Sequence, residues 1–323
     1  MTTITGALPA AVHIQARSGF FWDAFRRMRR NRAAVVSMVV IASLVFVAAF
    51  ADVIAPYTPA EQFLTTTGGI TDPLAPRSTG KFERPSPEHV FGTDQLARDV
   101  FSRTVVGLRI SLSAAFFAII VVSVIGVLVG TVAASSPRFV DDVLMRVTDI
   151  TFSFPDLLFI VLLRAAFGAS IFGFTHILGI QASLLLLFLA IALTAWPTMA
   201  RLIRGQLLSI RELEYTVAAQ AIGASRTRVA LRHWLPNAMG PAIVEATFLA
   251  PRAIFAEAAL SFIGIGVSPP TPSLGVLISE HFSWLSINWT GVAFPTLVLA
   301  LLFLAFQFFG DGLRDAFDPR ARR

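Results

Sequence analysis

The sequence contains no cysteine, so neither a disulfide framework nor a thiolate metal site is available to it. It has a single lysine, Lys81, within Gly80-Lys81-Phe82. A P-loop needs a glycine-rich turn followed by Lys and Ser or Thr, so the chain cannot hold ATP by that device. Charge is scarce: 14% of the 323 residues are charged and 55% are hydrophobic, which leaves too little polar surface to cover a water-soluble globule of this size. No nucleophile, base and orienting group stand in a usable pattern, so nothing supports catalysis in this chain or a cofactor of its own. His176 and His281 lack a second ligand at suitable spacing, which speaks against a metal site. The net charge of +6 sits mainly on arginines beside apolar runs. That is the placement of topology determinants facing anionic membrane lipid, and it does not indicate a nucleic-acid partner.

What the chain has instead is long apolar runs. About 20 apolar residues, rising about 1.5 Å each in a helix, cross a hydrocarbon core of roughly 30 Å. Residues 33–51, 110–136, 180–200 and 291–310 meet this condition without a charge. Two further runs are imperfect: 147–167 carries Asp149, Asp156 and Arg164, and 238–265 carries Glu245, Arg252 and Glu257. The expectation is an all-α integral membrane protein of six transmembrane helices. Arginines number six before the first span, six between the fourth and fifth and four at the end, which places both termini in the cytoplasm and the chain in the cell membrane. The loop 52–109 opposes this with five arginines and Lys81, although long loops constrain topology weakly.

The N-terminal arginines precede a long apolar run with no small-residue cleavage site, so a retained anchor is expected rather than a signal peptide. Phe20, Phe21, Ala24, Phe25 and Met28 recur at helical spacing opposite Asp23, Arg26, Arg27 and Arg30. That segment reads either as a helix lying in the membrane interface or as an extension of the first span. The division expected is a cytoplasmic tail and interfacial helix over 1–32, a first span over 33–55, an extracytoplasmic loop over 56–107, a five-helix core over 108–310 and a cytoplasmic tail over 311–323. The loop, with Pro56, Pro59, Gly68, Gly69, Pro73, Pro76, Pro85 and Pro87, suits irregular backbone better than a packed domain. No internal repeat is visible.

The stretch that carries most information runs from Glu214 to Asn237. Ala218, Ala219 and Ala221 leave a shallow helix surface that another protein can approach. Gly223 permits a left-handed corner, and Ser225 can cap a second helix leading into the fifth span. A short helix, a corner and another helix make a stiff lever.

In spacing, from Val217-Ala218-Ala219 through Gly223 and His233 to Leu235-Pro236, this stretch resembles the cytoplasmic EAA loop of ATP-binding-cassette import permeases. Val217 stands where that family usually has Glu, and Glu214 is a candidate substitute one helical turn earlier. Three more stretches resemble the dipeptide, oligopeptide and nickel branch of these permeases, in its C-type subunit. They are Phe91-Gly92-Thr93-Asp94 through Arg98-Asp99 to Ser102-Arg103, with Ala97 where Gly is usual; Leu260-Ser261-Phe262-Ile263-Gly264-Ile265-Gly266 with Pro269-Pro270; and Gly310-Asp311-Gly312-Leu313-Arg314-Asp315-Ala316-Phe317-Asp318-Pro319. The resemblance implies a type I importer permease fold with a cytoplasmic coupling helix. It also implies a homologous second permease, two nucleotide-binding subunits that hold ATP and Mg, and an extracytoplasmic substrate-binding protein. It assigns ATPase coupling to Glu214, Tyr215, Val217, Ala218, Ala219, Gly223, Ala224, Ser225, His233, Leu235 and Pro236. Docking of the binding protein falls to Asp94, Arg98, Asp99 and Arg103. Peptides are the substrate class it favours, with nickel or haem as alternatives within the same class.

Charges at membrane depth cost about 2.5 to 3.5 kcal/mol each on insertion scales, so Glu245, Arg252 and Glu257 are candidates for the pathway or for the interface with the second permease. A structural reading stays open beside it, in which Glu245 pairs with a loop arginine and Arg252 with Glu257 or Asp156. Asp142, Arg146 and Asp149 have the spacing of local helical ion pairs. Pro155, Pro197, Pro251 and Pro295 fall within spans three to six and are compatible with kinks. A secondary transporter, or a channel or scaffold without energy coupling, is the rival class.

Overall fold

The computed structural model describes residues 20–63, 80–167, 176–177 and 180–317. Among the described residues the fold is helical apart from one two-residue antiparallel pairing, β1 (His176–Ile177) with β2 (Ile180–Gln181). Helix α1 (Phe20–Met28) ends before α2 (Arg32–Ala49), because Asn31 caps the latter: its Oδ1 accepts the Ala33 amide at 3.0 Å and the Ala34 amide at 3.3 Å. The N-terminal segment is therefore a separate helix and not an extension of the first span. Met28 packs it against Ala34 and Ala316.

A short turn, α3 (Ala51–Ile54), precedes α4 (Val100–Ser135), which starts ten residues before the expected apolar run. Asp99 sets that start, its Oδ2 accepting the Ser102 amide at 2.7 Å. Arg109, on α4, reaches back to Asp52 on α3 at 2.7 Å and holds that exposed carboxyl below the usual carboxylate range.

The third expected span is in fact two helices, α5 (Arg138–Ser153) and α6 (Asp156–Phe167), bent by 85°. Pro155 cannot donate to the ladder and pushes Phe154 out of the helical region, to φ −80°, ψ 131°. The other three prolines leave their helices continuous. Pro197 lies within the unbroken α7 (Ala182–Arg211), Pro251 within α10 (Leu235–Phe262) and Pro295 within α12 (Thr290–Phe317). Between α7 and α10 stand α8 (Glu214–Ala221), α9 (Arg226–Val229) and a π-helical turn over Ala230–Trp234; α11 (Leu274–Phe282) joins α10 to α12.

Four of these helices, α2, α4, α7 and α12, are long and apolar enough to cross a membrane, and the bent pair α5–α6 makes a fifth if it counts as one span. The fifth expected span, α10, has the length but falls outside that set, with Glu245, Arg252 and Glu257 along it. Helix α12 also continues to Phe317, so the segment expected to be a tail from 311 is helical for seven more residues.

The core of the bundle is the contact of α4 with α7. Small residues allow it: a Cβ at Gly126 would stand 2.5 Å from Met199 Cβ, and one at Gly130 2.5 Å from the Ala200 carbonyl. Gly130→Ala should therefore lower the midpoint of thermal unfolding in detergent, by an overpacking cost of about 1–3 kcal/mol. Gly205, also on α7, has nothing within 4 Å of a built Cβ. There Gly205→Ala should leave the midpoint unchanged or raise it by up to about 1 kcal/mol of helix propensity; equal effects at the two positions would contradict this packing.

Candidate functional site

Helix α8 is set on the end of α7 by one buried side chain. Thr216 Oγ1 donates to the Ile210 carbonyl at 3.0 Å and is 0% exposed, although neighbouring residues of α8 face outward. Leu213, Tyr215, Val217, Ala218 and Ile222 are all exposed, Ile222 to 87%. The helix stops in a Schellman motif: the Ala224 amide donates to the Ala219 carbonyl at 3.1 Å, with Gly223 at φ +91° between them. Nothing lies within 4 Å of a Cβ built on Gly223, so the backbone turn and not lack of room calls for glycine there. Ser225 Oγ then accepts the Arg228 amide at 3.4 Å, which caps α9 as the sequence leads one to expect.

The chain enters α10 through the wide turn Ala230–Trp234, where the Leu235 amide donates to the Ala230 carbonyl. A widened turn suits the approach to Pro236, whose ring would crowd the carbonyl four residues back in a regular helix. Asn237 Nδ2 donates to the His233 carbonyl at 2.6 Å. Trp234, only 1% exposed, packs in one cluster with Ile203, Leu207 and Ile210 of α7; Ala219 and Ala224 pack against that cluster. His233 and Leu235 are half-buried at this junction and Pro236 is exposed. Thus Glu214, Tyr215, Val217 and Ala218 form an outer face, while Ala219 and Ala224 turn inward. Thr216 and Trp234 are the anchors that reading the sequence for surface residues missed. The signal for Trp234 was a large apolar residue directly before Leu235-Pro236.

The in-membrane charges do not form one constellation. Arg252 Nη1 donates to Glu245 Oε1 at 3.0 Å, so these two pair across two helical turns. They line a cavity of about 800 Å³ with Gln307, Asp311 and Arg314 of α12. Arg252 also borders a smaller cavity, of about 120 Å³, that Asp156 lines at the α5–α6 bend. Glu257 lies apart, fully buried. It accepts the hydroxyls of Ser111 at 2.6 Å and Ser261 at 2.7 Å; Ser111 Oγ accepts the Leu274 amide and Ser261 Oγ the Val267 amide. Glu257 is thus a clasp joining α4, α10 and the segment that begins α11.

The ion pairs expected among Asp142, Arg146 and Asp149 give way to one local pair with another partner and to tertiary ones. Asp142 lies 3.9 Å from Arg138 and Asp149 3.9 Å from Arg201 of α7. The close pair is Arg204 with Asp141, two bonds of 2.6 Å that tie α7 to α5.

The loop residues expected to dock a partner are interior. Asp94, Arg98, Asp99 and Arg103 are at most 5% exposed. Asp94 Oδ2 accepts from Arg98 Nε and from Arg103 Nη1, each at 2.7 Å; Glu280 on α11 accepts from the same two arginines at 2.9 and 2.8 Å. Asp99 Oδ1 lies 3.0 Å from His89 Nδ1. Asn288 donates to the Thr93 carbonyl, and Phe91 stacks on Phe294 at 3.8 Å between centroids. These charges weld the loop onto the α11–α12 hairpin, so the described part of the loop has the irregular backbone expected and is packed against the bundle. Buried His281, whose Nδ1 lies 2.6 Å from the Leu277 carbonyl, belongs to the same hairpin, and burial pushes its imidazole below the ordinary value. His176 stands in β1.

Ala97 explains its own departure from the usual glycine: its φ is +58°, a left-handed position that glycine fills without cost.

With this geometry in place, comparison with known proteins is informative. Residues 126–323 match the model of the binding-protein-dependent transport system inner membrane component, and residues 19–76 match the N-terminal TM domain of oligopeptide transport permease C. The dipeptide transport system permease protein DppC of Bacillus subtilis is 35% identical over 302 residues, covering 93% of this chain and 86% of its own. The oligopeptide transport system permease protein OppC of the same organism is 34% identical, with 97% and 94% covered, and DppC of Lactococcus lactis is 36% identical, with 94% and 91%. Among solved structures, the inward-facing MetNI methionine ABC transporter aligns with a TM-score of 0.54 at 21% identity, covering 67% of this chain and 97% of that one, a likeness of fold. The chain belongs to the binding-protein-dependent transport inner membrane components, as a C-type permease of the peptide ABC importers.

Proposed function

We propose that this chain forms half of a peptide translocation pathway and that α8 is the element through which a separate ATPase drives it. The observation that carries this reading is the build of α8: pinned by Thr216, closed at Gly223, and presenting Leu213, Tyr215, Val217, Ala218 and Ile222 outward. A row of exposed apolar side chains on a rigid, capped helix is a docking surface in search of a groove. Its two ends continue into α7 and α10, so displacement of α8 moves helices that line the large cavity. A flexible loop would dissipate the same push.

Glu214 is exposed one turn from Val217 and stands as the acidic contact that the usual motif places at Val217. In this reading α8 and both termini are cytoplasmic, and six spans cross the membrane: α2, α4, the bent α5–α6, α7, α10 and α12. The partners are a homologous permease, two ATPase subunits carrying ATP and Mg, and an extracytoplasmic binding protein. The peptide class follows the dipeptide and oligopeptide transport of the DppC and OppC relatives; none of the relatives described points to nickel or haem. Differential contacts of α8 with two states of the ATPase supply the coupling free energy.

Two measurements test this. Ile222→Asp alters a side chain with no role in the chain's own packing, so membrane insertion and yield should be unchanged. Association with the ATPase subunits should weaken by about 30-fold, the scale of an interface hot spot, and substrate-stimulated hydrolysis should fall with it. Gly223→Arg should give a stronger loss, because the backbone of an arginine would have to adopt φ +91°. Normal uptake in both variants would remove α8 from the mechanism. For the cavity, Arg252→Gln removes the exposed half of a pair in which the arginine is 61% and the carboxylate 18% exposed, and that exposure keeps the pair's worth to stability to about 1 kcal/mol. Uptake in vesicles should drop while unfolding and ATPase association stay at the unaltered level; a parallel loss of stability would make the pair structural.

A further inference from the structure

The end of the bundle that gathers α1, the start of α2 and the close of α12 carries a feature that transport does not use. Helices α2 and α12 touch where a side chain on Gly312 would collide with Ala34. Next to that contact they diverge around a cleft of about 380 Å³, lined by Val36, Ser37, Val40, Leu301, Leu304 and Phe308. Its walls are almost wholly apolar, and the one charged residue on it, Arg32, stands at its mouth. From Arg32 to Val40 the cleft follows α2 for about 12 Å of helix.

The mouth is strongly basic. Arg29, Arg30 and Arg32 crowd into four residues, all exposed, and none has an ion-pair partner among the described residues. Asn31, between them, already takes the amides of Ala33 and Ala34, so the arginine side chains and not the helix end are what remains to receive an anion. Asp315 of α12 follows Phe308 by seven residues and so shares its face of that helix. It lies beyond the Gly312 contact and pairs with none of the three. On α1, Trp22 and Phe25 are exposed as well, with Arg26 held 5.7 Å over the Trp22 ring.

We propose that this cleft is a site for one anionic phospholipid, an acyl chain lying between α2 and α12 and the phosphate held by Arg29, Arg30 and Arg32. At membrane depth the cleft faces lipid whatever its composition; the unpaired arginines select the headgroup, and the cleft makes the contact a site instead of a diffuse attraction. Occupation would tie α1 to the α2–α12 pair at a point remote from α8 and from the Glu245–Arg252 cavity.

The test uses the full chain, purified with the subunits that accompany it, in phosphatidylcholine nanodiscs. These carry spin-labelled phosphatidylglycerol or spin-labelled phosphatidylcholine of the same chains, and the immobilised fraction is read by electron spin resonance. The unaltered protein should retain phosphatidylglycerol preferentially. Arg29→Gln with Arg30→Gln and Arg32→Gln should reduce that preference by about fivefold for each arginine removed. The matching triple change to Lys, which keeps the charge, should keep it. Val36→Trp with Val40→Phe, which fills the cleft from its open wall, should release the lipid with the charges intact, and glycerol phosphate should not compete. Equal retention of both lipids, a Gln triple variant that keeps its preference, or a filled cleft that still retains phosphatidylglycerol would overturn the site. Competition by glycerol phosphate would overturn it as well, since a free phosphate would then suffice.

Discussion

The constraint on which the rest depends is that backbone N–H and C=O groups in hydrocarbon must find partners within the protein. Several of the described helix ends carry a device that meets it. Asn31, Asp99 and Ser273 cap the starts of α2, α4 and α11 with side-chain oxygens. Gly223 and Ser225 manage the corner between α8 and α9. Pro155 makes a break and leaves Phe154 extended. Arg164, in the bent third unit, donates to the carbonyls of Ser183 and Gly266 and so satisfies backbone groups where α7 begins and α10 ends.

Given that constraint, polar side chains inside the bundle work as joints. Glu257 with Ser111 and Ser261 holds three segments at one point. Asp94, Arg98, Arg103 and Glu280 do the same for the loop and the α11–α12 hairpin. Such clusters stabilise only when each member is paired. Truncating one leaves the others desolvated and uncompensated, which makes them costly to break and well suited to fixing register. By contrast, in the pair Arg252–Glu245 the arginine opens onto the large cavity while the carboxylate is half-buried.

Much of this was legible in the sequence for physical reasons. Charge-free runs mark α2, α4, α7 and α12 because hydrocarbon tolerates little else, and spacing marks the corner at Gly223 because few residues adopt its φ. What stayed hidden was long-range. Glu280 lies 177 residues from Arg103, and no local pattern announces that they meet. Asp141 and Arg204 are likewise paired across 63 residues, while the i, i+4 arithmetic pointed to Asp142 and Arg146. That the loop packs against the hairpin was not legible, because proline and glycine mark turns equally in loose and in packed backbone. Four left-handed residues there, Gly80, Phe82, Gly92 and Ala97, fold it tightly onto the hairpin.

The clasp at Glu257 has a mechanical corollary. Helix α10 is fixed there, 22 residues from Leu235, where the wide turn joins it to the α8–α9 corner. With Glu257 as fulcrum, that arm is roughly 33 Å long, so a tilt of about 5° sweeps its far end through about 3 Å of arc. The Glu245–Arg252 pair lies partway along the radius and travels a fraction of that arc, while the outer hairpin stays still.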